Sequence, residues 1–178
     1  LMKIGIFDPY LDSLSGGEKY ILSIASCLSS IHQVFIFWDK EKEQDIKKES
    51  SRKLGIDLEN IKFYKNIFDR SVSVQSRFFE SRKFDAIVYL SDGSIPFVGT
   101  KLYVHFQFPV EWINGNSITT KLKFLKINKV FCNSNFTKSY IDKKFHISSA
   151  VLYPPVDNRM SNISKENIIL HVGRFGID

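Results

Sequence analysis

Cysteine is scarce in this chain. Cys27 and Cys132 are far apart and match no metal-ligand spacing, which excludes a disulfide scaffold and a zinc site. Such usage points to a reducing compartment, the cytosol. No wholly apolar run exceeds a few residues, too short for a membrane-spanning helix. The N-terminus lacks a basic segment followed by a long apolar one, which argues against a signal peptide. Without one, the sequons Asn135-Phe136-Thr137 and Asn162-Ile163-Ser164 read as chance matches. The phosphate-loop pattern G-x-x-x-x-G-K-[ST] and the nucleophile-elbow pattern G-x-S-x-G are both missing. There is no internal repeat and no low-complexity linker. Acids are the minority charge, 19 against 25 basic residues in 178, for a net charge of +6. That surplus suits phosphates, nucleotides or anionic lipid and specifies none of them.

Short apolar runs alternate with helical patterns along the whole chain. Strands are expected at 3–8, 34–38, 61–64 (weaker), 86–90, 102–105, 130–132, 150–153 and 168–172. Helical faces lie between them. Tyr20, Ile21, Ile24, Ala25, Leu28 and Ile31 share one side of the first. Residues 40–50, with four lysines and four acids, read as a solvated helix or loop. Helices are expected over 72–82, over 118–125 as a basic amphipathic segment, and from 134 to about 145 with Ser134 as N-cap. This alternation predicts an α/β fold, a doubly wound and mainly parallel Rossmann-like sheet of about seven strands. In such sheets ligands bind outside the carboxyl ends of the strands.

Candidate chemistry therefore lies at those ends. Gly16-Gly17 follows the first strand and opens a helix, where backbone amides and the helix dipole suit a phosphate or carboxylate. Asp39 ends the second strand 22 residues after Gly17, about where a dinucleotide fold holds its ribose. The loop lacks G-x-G-x-x-G, so Asp39 reads first as a solvated acid. His105 ends an apolar strand, where an imidazole can give or take a hydrogen bond near neutral pH. Residues 117–146 carry seven lysines against one acid, with Phe124, Phe131, Phe136 and Tyr140 among them. These aromatics read as largely core-facing, which favours a solvated basic face, then an anionic membrane surface, over nucleic acid.

The order of the segments resembles the N-terminal half of a retaining, family-4 (group 1) glycosyltransferase of the GT-B fold. Five pieces carry the resemblance: the opening strand with Ser15-Gly16-Gly17-Glu18; Tyr103-Val104-His105-Phe106; Val130 to Thr137, similar to the family's NS-x-x-T step; Tyr153-Pro154-Pro155-Val156-Asp157; and His171-Val172-Gly173-Arg174. The resemblance implies two Rossmann-like domains around a cleft. Residues 1–160 would form the acceptor-side domain, and 161–178 the crossing and first strand of a donor-binding domain. Most of that domain is expected to lie outside this sequence, so the chain alone is expected to be inactive. The resemblance implies His105 as the catalytic-site histidine beside the donor sugar. It places Gly16 and Gly17 at the donor phosphate or acceptor, and Arg174 at the donor phosphates from the second domain's edge. A lysine usual in the family a few residues after that arginine is missing here. Acceptor contacts are expected around 9–17, 91–95 and 106–116, with Asp92, Gln107, Glu111, Asn133 and Ser134 as candidates. The implied substrates are a nucleotide-sugar and a glycan or lipid-linked acceptor. No metal, permanently bound cofactor or nucleic acid is expected. Location would be cytoplasmic, at the inner face of a membrane if peripheral contact with anionic lipid occurs. A dinucleotide-dependent oxidoreductase domain and a basic nucleic-acid or membrane-surface module stand as alternatives.

Overall fold

In a computed structural model residues 1–157 and 166–169 are described. Seven strands form one sheet: β1 (Lys3–Phe7), β2 (Gln33–Phe37), β3 (Lys62–Tyr64), β4 (Ala86–Leu90), β5 (Lys101–Phe106), β6 (Ile127–Cys132) and β7 (Ala150–Val151). Between them run α1 (Gly16–Ser29), α2 (Glu43–Leu54), α3 (Val74–Ser81), α4 (Ile118–Phe124) and α5 (Asn135–Phe145). The strand order is β3-β2-β1-β4-β5-β6-β7, and every neighbouring pair is parallel. The chain adds β2 and β3 on one side of β1, then returns to build β4 to β7 on the other. The winding reverses between β1 and β4, and that reversal opens a crevice at the carboxyl ends.

Both faces of the sheet are covered, as a parallel sheet requires. One apolar layer gathers Phe37, Ile87, Leu102, Val104, Phe106, Ile141 and Phe145. The other gathers Ile4, Ile6, Ile21, Leu22, Val34, Ile36, Ile46 and Ile61. Gly5 lies in β1 because the buried Phe37 ring occupies the space that a side chain would take there.

Three helices start on hydroxyl caps. Ser73, Ser117 and Ser134 each accept a hydrogen bond from the backbone N–H three residues on, at 3.1 Å. Ser134 is thus the cap its sequence position predicts. At α1 the Glu18 carboxylate turns back and accepts from Ser15 N at 2.7 Å and from the Ser13 and Ser15 hydroxyls at 2.6 Å.

Two sequence readings need correction. The strand expected over 150–153 is only two residues long. It is an edge strand, and beyond it Leu152 gives its carbonyl to the Tyr20 hydroxyl before Pro154-Pro155 ends the run. Residues 40–50 are the solvated helical segment expected, a short 3-10 turn and most of α2, in which only Ile46 and Ser50 are buried. Phe136 and Tyr140 do not face the core. Thr137, Ile141 and Phe145 take α5's inward stripe, which leaves Phe136 and Tyr140 63% and 46% exposed and 5.0 Å apart on the adjacent one. Of the strand expected over 168–172, Ile168 and Ile169 are exposed and in no strand, and the rest lies outside the described residues.

Candidate functional site

The expected site residues fall into three groups. The first is a polar seam at the carboxyl ends of β1, β5 and β6. Gln107 donates its Nε2–H to the Gly17 carbonyl at 3.1 Å. Asn133 donates its Nδ2–H to the Gln107 carbonyl at 2.7 Å, and its own backbone N–H goes to the Phe106 carbonyl at 3.2 Å. Ser134 caps α5 beside it. The α1 turn and two strand ends are thereby tied into one rigid edge. A Cβ at Gly17 would stand 2.7 Å from Gln107 Oε1 and push the end of that side chain aside, whereas one at Gly16 would meet nothing within 4 Å.

His105 sits just beneath this seam. It is 1% exposed, and neither ring nitrogen has a hydrogen-bond partner. Its ring meets Tyr20 edge-on at 4.7 Å and lines an apolar cavity of about 270 Å³ with Ile4, Val88, Tyr103 and Phe131. Burial pushes its pKa down to about 4, so the imidazole is neutral at physiological pH.

The second group lines a crevice of about 800 Å³ beside the winding reversal. Of the expected residues, Asp92 is in it, together with Pro9, Tyr10, Ser94 and Ile95 from the predicted segments. Asp92 accepts from Ser94 N at 3.1 Å and from Ser94 Oγ at 2.9 Å, and Ser94 Oγ meets the Tyr89 hydroxyl at 2.7 Å. Five aromatic side chains line it, Phe7, Tyr10, Trp38, Phe68 and Tyr89, and the centroids of Phe7, Phe68 and Tyr89 lie 4.7 to 5.1 Å apart. Trp38, Asn66, Phe68, Arg70, Arg77 and Lys123 also line it and were missed. Residues 66–70 follow β3, so applying the carboxyl-end rule to that weak strand would have found them. Arg77 holds the loop: it donates to the Ile67 carbonyl at 3.0 Å and the Val72 carbonyl at 3.4 Å, and lies 5.7 Å from the Phe68 ring centroid.

Asp8, at the end of β1, was not singled out either. It is 1% exposed, with one oxygen accepting from Tyr10 N at 2.8 Å and the other unpartnered. Burial first, then Glu18 and Asp12, push its pKa up to about 7 despite that bond. Burial also opposes ionisation of Glu18, but hydrogen bonds from Ser13 and Ser15 outweigh it and hold that carboxyl below its ordinary value. The turn thus pairs a charged carboxylate with one that can exchange a proton near neutral pH.

The third group is separate. Glu111 lines a cavity of about 740 Å³ between the 109–116 loop and α5, with Lys143, Lys144 and His146. Of the acceptor region expected over 106–116, Gln107 reaches Gly17 and the Trp112 and Ile113 side chains pack by Gly93, but Glu111 opens into a different cavity from Asp92. Asp39 is exposed and accepts from Glu41 N at 3.0 Å, which caps the 3-10 turn before α2. Arg174 and the 161–178 segment's strand lie outside the described residues.

Among the described residues, no group of three His, Cys, Asp or Glu side chains is gathered as a metal ion would need. No described helix is long and apolar enough to cross a membrane. Compared with known protein families and with curated proteins, the chain matches none.

Proposed function

We propose that the chain is the acceptor-side domain of a retaining glycosyltransferase, which moves a sugar from a nucleotide-sugar to a saccharide or lipid-linked acceptor. The observation that carries this reading is the crevice beside the winding reversal. It joins aromatic surface, on which sugar rings can stack, to hydrogen-bonding groups at Asn66, Asp92 and Ser94 and to the guanidinium of Arg70. The β1–α1 connection supplies both Tyr10 of the crevice and Gly16-Gly17 of the polar seam. In this reading the glycine turn faces the donor diphosphate, where charge grows as the leaving group departs. His105 is a neutral donor or acceptor close to the donor sugar, and its role is positioning.

A dinucleotide-binding reading is the second one, favoured by the strand order, which begins 3-2-1-4-5-6 as in dinucleotide-binding domains. The capping role of Asp39 and the missing third glycine weigh against it.

NMR titration of the chain with oligosaccharides, UDP, GDP and NAD separates the two. Saccharide-induced shifts at Tyr10, Trp38 and Asp92 support the sugar-transfer reading. Saturable NAD shifts around Gly16 and Asp39, with none from saccharides, overturn it.

A further inference from the structure

Helix α4 presents an apolar face to solvent. Phe124 is its inward anchor, stacked on Phe145 at a centroid distance of 4.4 Å. Ile118, Leu122 and Leu125 recur at spacings of four and three residues, so they form one stripe. They are 76%, 58% and 79% exposed. A contiguous stripe of large aliphatic side chains is the mark of an interaction surface rather than ordinary surface.

Charge identifies the occupant. Residues 112–141 contain five lysines and no acid. Lys138 is paired with Asp142. Among the described residues, Lys121, Lys123, Lys126 and Lys129 enter no ion pair. An aliphatic stripe with lysines beside it is the composition of a helix that lies in a lipid interface. Nucleic acid would use the lysines but leave the stripe in water. A second copy of the chain would cover the stripe but bring like charges together.

We propose that α4 with Leu125 docks on an anionic bilayer, its aliphatic stripe entering the headgroup–acyl boundary, while Lys121 and Lys123 of the helix and Lys126 and Lys129 after it meet lipid phosphates. Lys123 also lines the 800 Å³ crevice, so docking brings that crevice close to the lipid surface. The proposal stands without the sugar-transfer reading and deepens it toward a lipid-linked acceptor.

The test is co-sedimentation of the 178-residue chain with vesicles of phosphatidylcholine alone or mixed with phosphatidylglycerol. Two variants accompany it: Ile118→Ser/Leu122→Ser/Leu125→Ser, and Lys121→Gln/Lys126→Gln/Lys129→Gln. The wild type is expected on mixed vesicles and far less on neutral ones. The serine variant should bind at least about tenfold more weakly. The glutamine variant should lose about fivefold per lysine together with much of its salt sensitivity. Leu122→Trp gives a readout that does not rely on loss: its emission should shift to the blue and be quenched by brominated lipid. Absence of wild-type binding to mixed vesicles overturns the proposal, as does a serine variant that binds like wild type. Oligonucleotide binding that survives the serine changes, without vesicle binding, also overturns it. So does a dimer that those changes abolish in a chain that ignores vesicles.

Discussion

The side chain of Gln107 and the backbone of Gly17, 90 residues apart, are joined by one hydrogen bond of 3.1 Å. Gln107 can make it because β5 runs parallel to β4, and β4 to β1, so the ends of β1 and β5 emerge on the same edge of the sheet. Gly17 permits it because it has no Cβ to collide with Gln107 Oε1.

Alanine should therefore separate the two glycines. Gly17→Ala gains helix propensity but must displace the end of the Gln107 side chain and break the bond, so it should carry a penalty of about 1 kcal/mol relative to Gly16→Ala. Gly16→Ala has open space and gains helix propensity, so it should be neutral or stabilising by up to about 1 kcal/mol. Urea unfolding of both variants checks this. In a Gln107→Ala background the Gly17→Ala penalty should shrink, and an undiminished penalty would show that the seam is not its source.

Asp8 should make stability fall as pH rises from about 4 to about 7. Its folded pKa, about 7, is above its ordinary 3.8. Across that window the folded chain holds a proton the unfolded chain has released, so folding is favoured at the acid end. A shift of this size is worth at most about 4 kcal/mol. Asp8→Asn should remove this slope in melts taken at a series of pH values.

His105 has the opposite sign. Its folded pKa is about 4 against an ordinary 6.5. As pH drops through that range the unfolded chain gains a proton that the folded chain refuses, and stability is lost. The two slopes overlap and partly cancel in the wild type. His105→Leu should expose the Asp8 slope, and Asp8→Asn should expose the His105 slope. Because the imidazole nitrogens have no partners, His105→Leu should cost little stability at pH 7 or increase it. In an enzyme that carries both domains, a fall in kcat with little change in Tm would assign His105 to the donor sugar. An unchanged kcat would remove it from the site.

Arg77→Lys keeps the charge but cannot span two carbonyls and the Phe68 ring. Hydrogen exchange across residues 66–72 should accelerate, with a stability loss of about 1–2 kcal/mol. Unchanged exchange there would mean that the loop holds itself.

Much of the fold was legible because most strands are short apolar runs, and Ser73, Ser117 and Ser134 mark where three of the helices begin. Runs that mostly alternate with helices leave a parallel, two-sided sheet as the architecture that buries them. The same local signals located Gly16-Gly17 and His105 at strand ends. Periodicity carries no information about which strands are neighbours, and neighbours decide the site. Strand order put Gln107 against Gly17 and divided Glu111 from Asp92. It also brought Asn66 and Arg70, which follow a three-residue strand, into one crevice with Tyr10. The states of Asp8 and His105 depended on tertiary packing in the same way. A carboxyl or imidazole reads identically in sequence whether wet or dry, and only the surrounding packing sets its desolvation and hence its charge. The exposure of Leu122 and Leu125 was decided there too, since one inward side chain, Phe124, fixes which face of α4 meets water.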